Sequence, residues 1–376
     1  MVCLTLCETI LDWYIFYIFE GAKNKTQITT KLMKTKLFFI LLMAAIIVSC
    51  GDSSPTNDSK ETAVDQFAGL QEQAQALFGT LPLIAENIAN PITDEKVQLG
   101  KKLYFDNRLS KDNTQSCNTC HNVETYGVDN EPTSKGDNGG LGTRNSPTTF
   151  NAAFHTTQFW DGREPDVEAQ AGGPILNPVE MAMPDEASVV NRLKGIEEYV
   201  TYFAKSFPDE KDPITYNNLK LAIGAYERML VTPTKFDDYL AGNTDALNTQ
   251  EKEGLQTFIT GGCITCHRGN VLGGNMFQKF GLMKPYWEFT KSTVIDDGKF
   301  EVTQNEADKY VFKVPSLRNI EKTYPYFHDG SIMDLREATD IMGKTQLNKT
   351  FTDKELDDMV VFMNTLTGEI PDNLKE

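Results

Sequence analysis

Residues 117–130 read CNTCHNVETYGVDN, and the opening C-x-x-C-H decides how the rest of the chain is read. This is the attachment motif of c-type haem: two thiols bond covalently to the porphyrin edge, and the adjoining histidine faces the iron. The motif recurs as CITCH at 263–267. Each copy follows an apolar helical pattern, VQLGKKLYF (97–105) before the first and EGLQTFITGG (253–262) before the second. In the second, Leu255, Phe258 and Ile259 fall on one helical face, and Gly261-Gly262 stop the helix before the motif. The chain therefore reads as two copies of one unit, each the first half of a small cytochrome c domain. The expected fold is mostly α, with two cytochrome c-like domains, each around one covalently attached haem, and long ordered loops between the elements.

The cysteines leave little room for another reading. Of seven, Cys3 and Cys7 lie far upstream and Cys50 ends an apolar run, so Cys117, Cys120, Cys263 and Cys266 remain, two per motif. None is left for a disulfide framework. A structural zinc would need a closed set of four ligands, and the chain's four histidines, His121, His155, His267 and His328, are too scattered to supply it.

The segment KLMKTKLFFILLMAAIIVSC (31–50) has a basic start, an apolar run from Leu37 to Val48 and a small residue before Cys50. That is the layout of a secretory signal; ending in Ser49-Cys50, it resembles a bacterial lipoprotein signal, with Cys50 as the lipidated N-terminus. The run is short for a membrane-spanning helix, which needs about 20 apolar residues. Residues 1–32 read as an upstream extension before a start at Met33, residues 33–49 as the signal, and 50–66 as a polar tether. The product is expected to be exported to the periplasm and held to a membrane by its lipid.

The full chain carries a net charge of −17; without residues 1–49, which hold five Lys and three Asp/Glu, it is −19. Such a surface disfavours nucleic acid and favours a basic protein partner. Helical spacing is read at 185–200, 215–230 and 352–366. In the last, Thr352 and Glu355 stand at capping-box spacing, and Leu356, Met359, Val360, Met363 and Leu366 form the buried face. Long loops are expected at 127–149 and 268–299. FPDEKDPIT (207–215) breaks the pattern and divides the chain into domains at 67–212 and 213–376.

The second haem iron needs a sixth ligand. Met276, Met283, Met333, Met342, Met359 and Met363 all lie downstream of His267. Met359 and Met363 sit on the apolar helix face, and Met342 is expected in a loop beside Gly343.

Between and beyond the motifs stand TRNSPTTFN (143–151), QFWDGR (158–163), AQAGGPILNPVEM (169–181), YVFKVPSLRNI (310–320), YPYFHDG (324–330) and IMGKTQL (341–347). From about Asn87 to Gly368 the chain resembles the bacterial di-haem cytochrome c peroxidases. The resemblance implies a peroxidatic haem on Cys117, Cys120 and His121, and a high-potential relay haem on Cys263, Cys266 and His267 with Met342 as axial ligand. It further implies Glu180 as the acid–base residue, Gln170 as its neighbour and Trp160 between the haems. A calcium ion would be held by Asn145 and the carbonyls of Thr323 and Pro325. The implied partners are hydrogen peroxide, a small c-type cytochrome or cupredoxin as donor, and a second copy of the chain. Where many members carry a distal histidine, SKGDNGGLGTRNSP (134–147) has none; Asp137 falls there, and His155 lies outside that loop. The first iron is therefore expected to be open without reductive activation. The rival readings are a MauG-like oxidase of a protein substrate, which would place a tyrosine rather than Met342 at the second iron, a non-catalytic di-haem carrier and a peroxide sensor.

Overall fold

The computed structural model describes residues 66–376. The upstream extension, the signal, Cys50 and nearly all of the tether lie outside the described residues. No helix among the described residues is long and apolar enough to cross a membrane.

The first half runs α1 (Leu70–Phe78), α2 (Asp94–Tyr104), the short α3 (Cys117–Cys120), α4 (Val167–Leu176), α5 (Glu186–Lys194), α6 (Glu197–Ser206) and α7 (Tyr216–Glu227). The second runs α8 (Lys235–Leu240), α9 (Thr249–Gly261), α10 (Trp287–Thr290), α11 (Phe300–Thr303), α12 (Leu335–Gln346) and α13 (Asp353–Asn364). Its strands β1 (Phe277–Lys279) and β2 (Val311–Lys313) pair antiparallel, with Phe277 opposite Lys313.

The helix ends follow from their residues. Thr93 caps α2 by accepting the Lys96 N–H, and Asp94 and Glu95 complement the dipole of its first turn. Asn248 and Glu251 form a capping box on α9, which stops at Gly262 with a φ of 102°. Thr352 and Glu355 make the predicted box on α13. The single helix expected over 185–200 is two: α5 ends into Gly195, Ile196 turns extended, and α6 continues beyond 200 to Ser206.

One crossing occurs twice. α2 packs on α7, and a Cβ on Gly100 would lie 1.8 Å from the Ala222 carbonyl oxygen. α9 packs on α13, and a Cβ on Gly254 would lie 1.9 Å from the Asp358 carbonyl oxygen. One turn further on, Tyr104 meets Tyr226 at 5.1 Å between ring centroids and Phe258 meets Phe362 at 5.5 Å. Backbones this close leave no room for any side chain at the two glycines.

Each crossing seeds a core. The first gathers Leu99, Leu103 and Tyr104 with Ile175, Phe203, Leu219, Ile223 and Tyr226. The second gathers Leu255, Phe258 and Ile259 with Phe236, Tyr239, Met359 and Phe362. The apolar packing passes from one core to the other between Leu230 and Phe236, so α7, which follows the FPDEKDPIT break, belongs with the first core. The chain ends cross over. Leu70, Ala74 and Phe78 of α1 sit in the second core, whereas Ile370 and Leu374 pack on the first, where the Tyr226 hydroxyl donates to the Leu374 carbonyl at 2.6 Å.

Candidate active site

The two crossings each back a cleft. Cys117, Cys120 and His121 line the first, a cavity of about 310 Å³; Cys263, Cys266 and His267 line the second, of about 170 Å³. In both, the motif histidine turns Nδ1 to a backbone carbonyl, 3.3 Å from Gly127 for His121 and 3.0 Å from Leu272 for His267. That contact fixes the tautomer and leaves Nε2 for a metal. Burial lowers both histidine pKa values against the carbonyls of Gly127 and Pro147 in one case and Leu272 and Pro315 in the other. Pro147 and Pro315 thus occupy matching places, a second repeat that the sequence pattern did not disclose.

The residues present fit a covalent haem in each cleft. Paired thiols and a metal-ready imidazole share one wall of each cavity. Burial raises all four thiol pKa values, those of Cys120 and Cys263 to about 11. A dithiol redox motif would instead hold its attacking thiol's pKa down.

The first cleft brings together the residues singled out from the sequence. Gln170 and Pro174 face it from α4, and Glu180 from the turn that follows. The turn is held by the Asn177 side chain, which donates to Glu180 Oε1 at 2.7 Å, and by the Met181 N–H to the Pro174 carbonyl at 3.1 Å. Burial raises the Glu180 carboxyl pKa; the Arg163 charge and the Asn177 hydrogen bond pull it back. Arg163 lies with its guanidinium 3.4 Å from the Phe159 ring centroid and pairs with buried Asp161.

The 134–142 loop leans on this turn. Asp137 N–H donates to the Glu180 carbonyl at 2.7 Å, and a Cβ on Gly136 would lie 1.7 Å from the Val179 oxygen. The Asp137 carboxylate points elsewhere, accepting from the Asp112 N–H at 2.7 Å and the Thr114 hydroxyl at 2.5 Å. It does not line the cleft, and neither does His155. Among the described residues His121 is the one histidine that does.

The second cleft is apolar. Phe258, Leu317, Ile320, Leu335 and Ala338 surround its motif, with Met342 and Met363 as its methionines. Met342 is on helix α12, not in the loop expected from its neighbour Gly343. That glycine does not break the helix: a Cβ there would lie 2.8 Å from the Phe351 ring, so its smallness serves packing. Trp160 alone among the described residues lines both clefts, with its indole N–H donating to the Asn145 carbonyl at 2.9 Å. His328 lines the second, stacked on Phe312 at 4.2 Å, and its carbonyl accepts the Asn145 N–H at 2.7 Å.

Three chain segments converge near Asn145. Its amide nitrogen donates to the Glu131 carbonyl at 3.0 Å, and Asn130 donates to the carbonyls of Lys322 and Tyr324 at 3.0 and 2.7 Å. The Asn145 side-chain oxygen and the carbonyls of Thr323 and Pro325 are therefore neutral oxygens from neighbouring strands of chain, the ligand type calcium takes. No group of three or more acid, histidine or cysteine side chains placed to hold a metal occurs among the described residues.

Two residues of the clefts were not singled out from the sequence. Glu227, on α7, is fully buried in the wall of the first, and burial raises its carboxyl pKa to about 8, with Glu168 adding to the rise and Arg228 opposing it. An acid at the helical spacing of an apolar face was the available clue. Lys313, in the wall of the second, stands between Phe312 and Val314 in a short strand whose burial its own residues do not announce.

Two helix-backed clefts, each with a haem-attachment motif, joined through one tryptophan, define a di-haem c-type protein. The family model for di-haem cytochrome c peroxidase matches residues 94–245, and that for cytochrome c matches 251–367. The chain is 45% identical over 315 residues to the cytochrome c551 peroxidase of Pseudomonas aeruginosa, covering 82% of this chain and 90% of that one. It is 32% identical to the methylamine utilization protein MauG of Methylorubrum extorquens, over 88% of this chain and 95% of that one. Among solved structures, a MauG-like protein associated with microbial copper homeostasis superposes with a TM-score of 0.70 at 28% identity, over 79% of this chain and 96% of that one. The chain belongs to the di-haem cytochrome c peroxidase family.

Proposed function

We propose that the protein reduces hydrogen peroxide to water in the first cleft, with electrons taken from a small redox protein at the second. The observation that carries this reading is Glu180: a half-buried carboxyl of raised pKa facing the cleft that holds His121. Bound there, haem supplies an iron that takes peroxide and helps to break its O–O bond. Asn177 holds Glu180 Oε1, so Oε2 is the atom that takes the proton from one peroxide oxygen and returns it to the leaving oxygen. Gln170 orients the peroxide from α4. Trp160, on the wall of both clefts, lies in the electron path between them.

No distal side chain is needed to open the site. Asp137 is tied to Thr114 and Asp112, and the loop that bears it is fastened to the Glu180 turn. The enzyme is therefore active with both irons ferric. Calcium at Asn145, Thr323 and Pro325 would brace the segment between the clefts. The net charge of −17 suits a basic cytochrome or cupredoxin as donor. Export, a lipid on Cys50 and a homodimer complete the reading.

Low-temperature EPR of the oxidised, haem-loaded protein tests it. A high-spin ferric signal consumed by stoichiometric peroxide is expected. Two low-spin signals indifferent to peroxide would exclude an open first site, and absence of turnover with peroxide and a reduced cytochrome would exclude the peroxidase.

A further inference from the structure

His155 and Lys313 meet in the interior beside the segment that joins the clefts. Lys313 is on β2, 6% exposed, and lines the second cleft. Its backbone N–H donates to the Trp160 carbonyl at 2.7 Å. Its Nζ donates to the Thr157 carbonyl at 2.9 Å and lies 3.2 Å from His155 Nδ1. The imidazole is wedged against the chain: a Cβ on Gly274 would lie 2.3 Å from its Cδ2. His155 Nε2 and Thr157 Oγ1 are buried with no hydrogen-bond partner. A buried ammonium with no carboxylate in hydrogen-bond contact is costly, and such a group tends to give up its proton.

We infer that Lys313 is a proton site coupled to the electron occupancy of the second cleft, with His155 as the positioning residue that receives its ammonium. One electron reaches the haem from a reduced small redox protein, or in the titration from a reduced mediator dye that is thereby oxidised, while one proton from solvent forms an N–H bond at Nζ; no other bond changes. The added electron is a negative charge across a poorly screening interior, and it stabilises the ammonium. Burial brings the Lys313 pKa down to about 8 against the pull of Asp161, which puts the loss of its proton at moderate pH. Burial and the Lys313 charge hold His155 well below its usual range, which keeps Nδ1 an acceptor. Asp161 and His155 are the titratable groups that face Lys313, and Asp161 is pinned by Arg144 and Arg163. His328, on the wall of the same cleft, is held below its ordinary pKa by burial and titrates in a more acidic range.

The inference rests on a haem in the second cleft, not on peroxide or on the direction of electron flow. The experiment is a spectroelectrochemical titration of the second haem of the holoprotein between pH 6 and 10, compared with Lys313→Met and His155→Leu. In the wild type the midpoint is expected to be level at low pH and to fall through the range in which Lys313 gives up its proton, approaching 59 mV for each tenfold change in proton activity. Lys313→Met is expected to be flat there. His155→Leu, lacking the acceptor, is expected to start its fall at lower pH. A flat wild type, or a slope kept in Lys313→Met, overturns the inference. Should Lys313→Met fail to take up haem, an unmoved onset in His155→Leu overturns it instead. A lysine with only a packing role would change stability and leave the slope alone. Peroxide turnover is not read, so failure of the peroxidase reading would show separately.

Discussion

The two clefts stand on the same helix crossing, with a glycine at the same closest approach and a motif histidine held by a carbonyl in the same way. Their open walls differ in kind. The first presents Glu180, Gln170, Arg163 and Glu227; the second presents Phe258, Leu317, Ile320, Leu335 and Met342. The scaffold thus decides where a haem is held, and the residues arriving from α4 and α12 decide what it can do there. A polar wall with a buried acid manages protons. An apolar wall with a thioether stabilises a reduced iron, and the ionisable groups on that wall are Lys313 and His328 rather than an acid.

The largest expected effect comes from removing the acid that separates the two. Glu180→Gln should cut peroxide turnover by about a hundred- to ten-thousand-fold while both haem spectra stay near those of the parent. Retained turnover would take Glu180 out of the mechanism. On the other side, Met342→Ala should lower the midpoint potential of the second haem by a sizeable part of the roughly 0.8 V that axial ligands span, seen by redox titration with the first haem unmoved. If the potential holds, Met363, the other methionine of that wall, becomes the ligand to test. Gly100→Ala and Gly254→Ala probe the shared crossing. Each forces a methyl onto a backbone carbonyl and should cost about 1–3 kcal/mol or more in denaturant unfolding; a large gap between them would mean that the crossings are not equivalent. The remaining effect is pH-dependent. Glu227 is neutral when folded up to about pH 8 and ionises far sooner when unfolded, so its stabilising contribution falls as pH rises from the acidic range toward 8. Glu227→Gln should therefore raise the melting temperature more at pH 8 than at pH 5, and equal shifts at both would show that burial does not hold its proton.

Much of this contrast is written in the sequence as spacing. Thr352 with Glu355, Leu255 with Phe258 and Ile259, and Gly262 after them are local patterns whose physics acts within one or two turns, and the structure keeps them. Gly343 shows where local reading stops. A glycine breaks a helix when nothing else favours it, but here the Phe351 ring occupies the space a side chain would need. Lys313 and Glu227 were hidden for the same reason. Their weight comes from burial by residues distant in sequence, which composition does not report and which periodicity marks only for Glu227, as an acid on an apolar helix face. The membership of α7 in the first core was likewise out of reach, because the polar break before it marks a turn of the chain and does not say which core the next helix joins.

The crossed chain ends set an order of events. Because Ile370 and Leu374 lie on the first core and α1 lies in the second, the first core is complete only once the C-terminal segment is in place. Until then Cys117 and Cys120 belong to a half-built domain whose back wall is missing its final apolar contacts. The C-terminal segment thus completes the core behind the first motif, and the N-terminal helix completes the core behind the second.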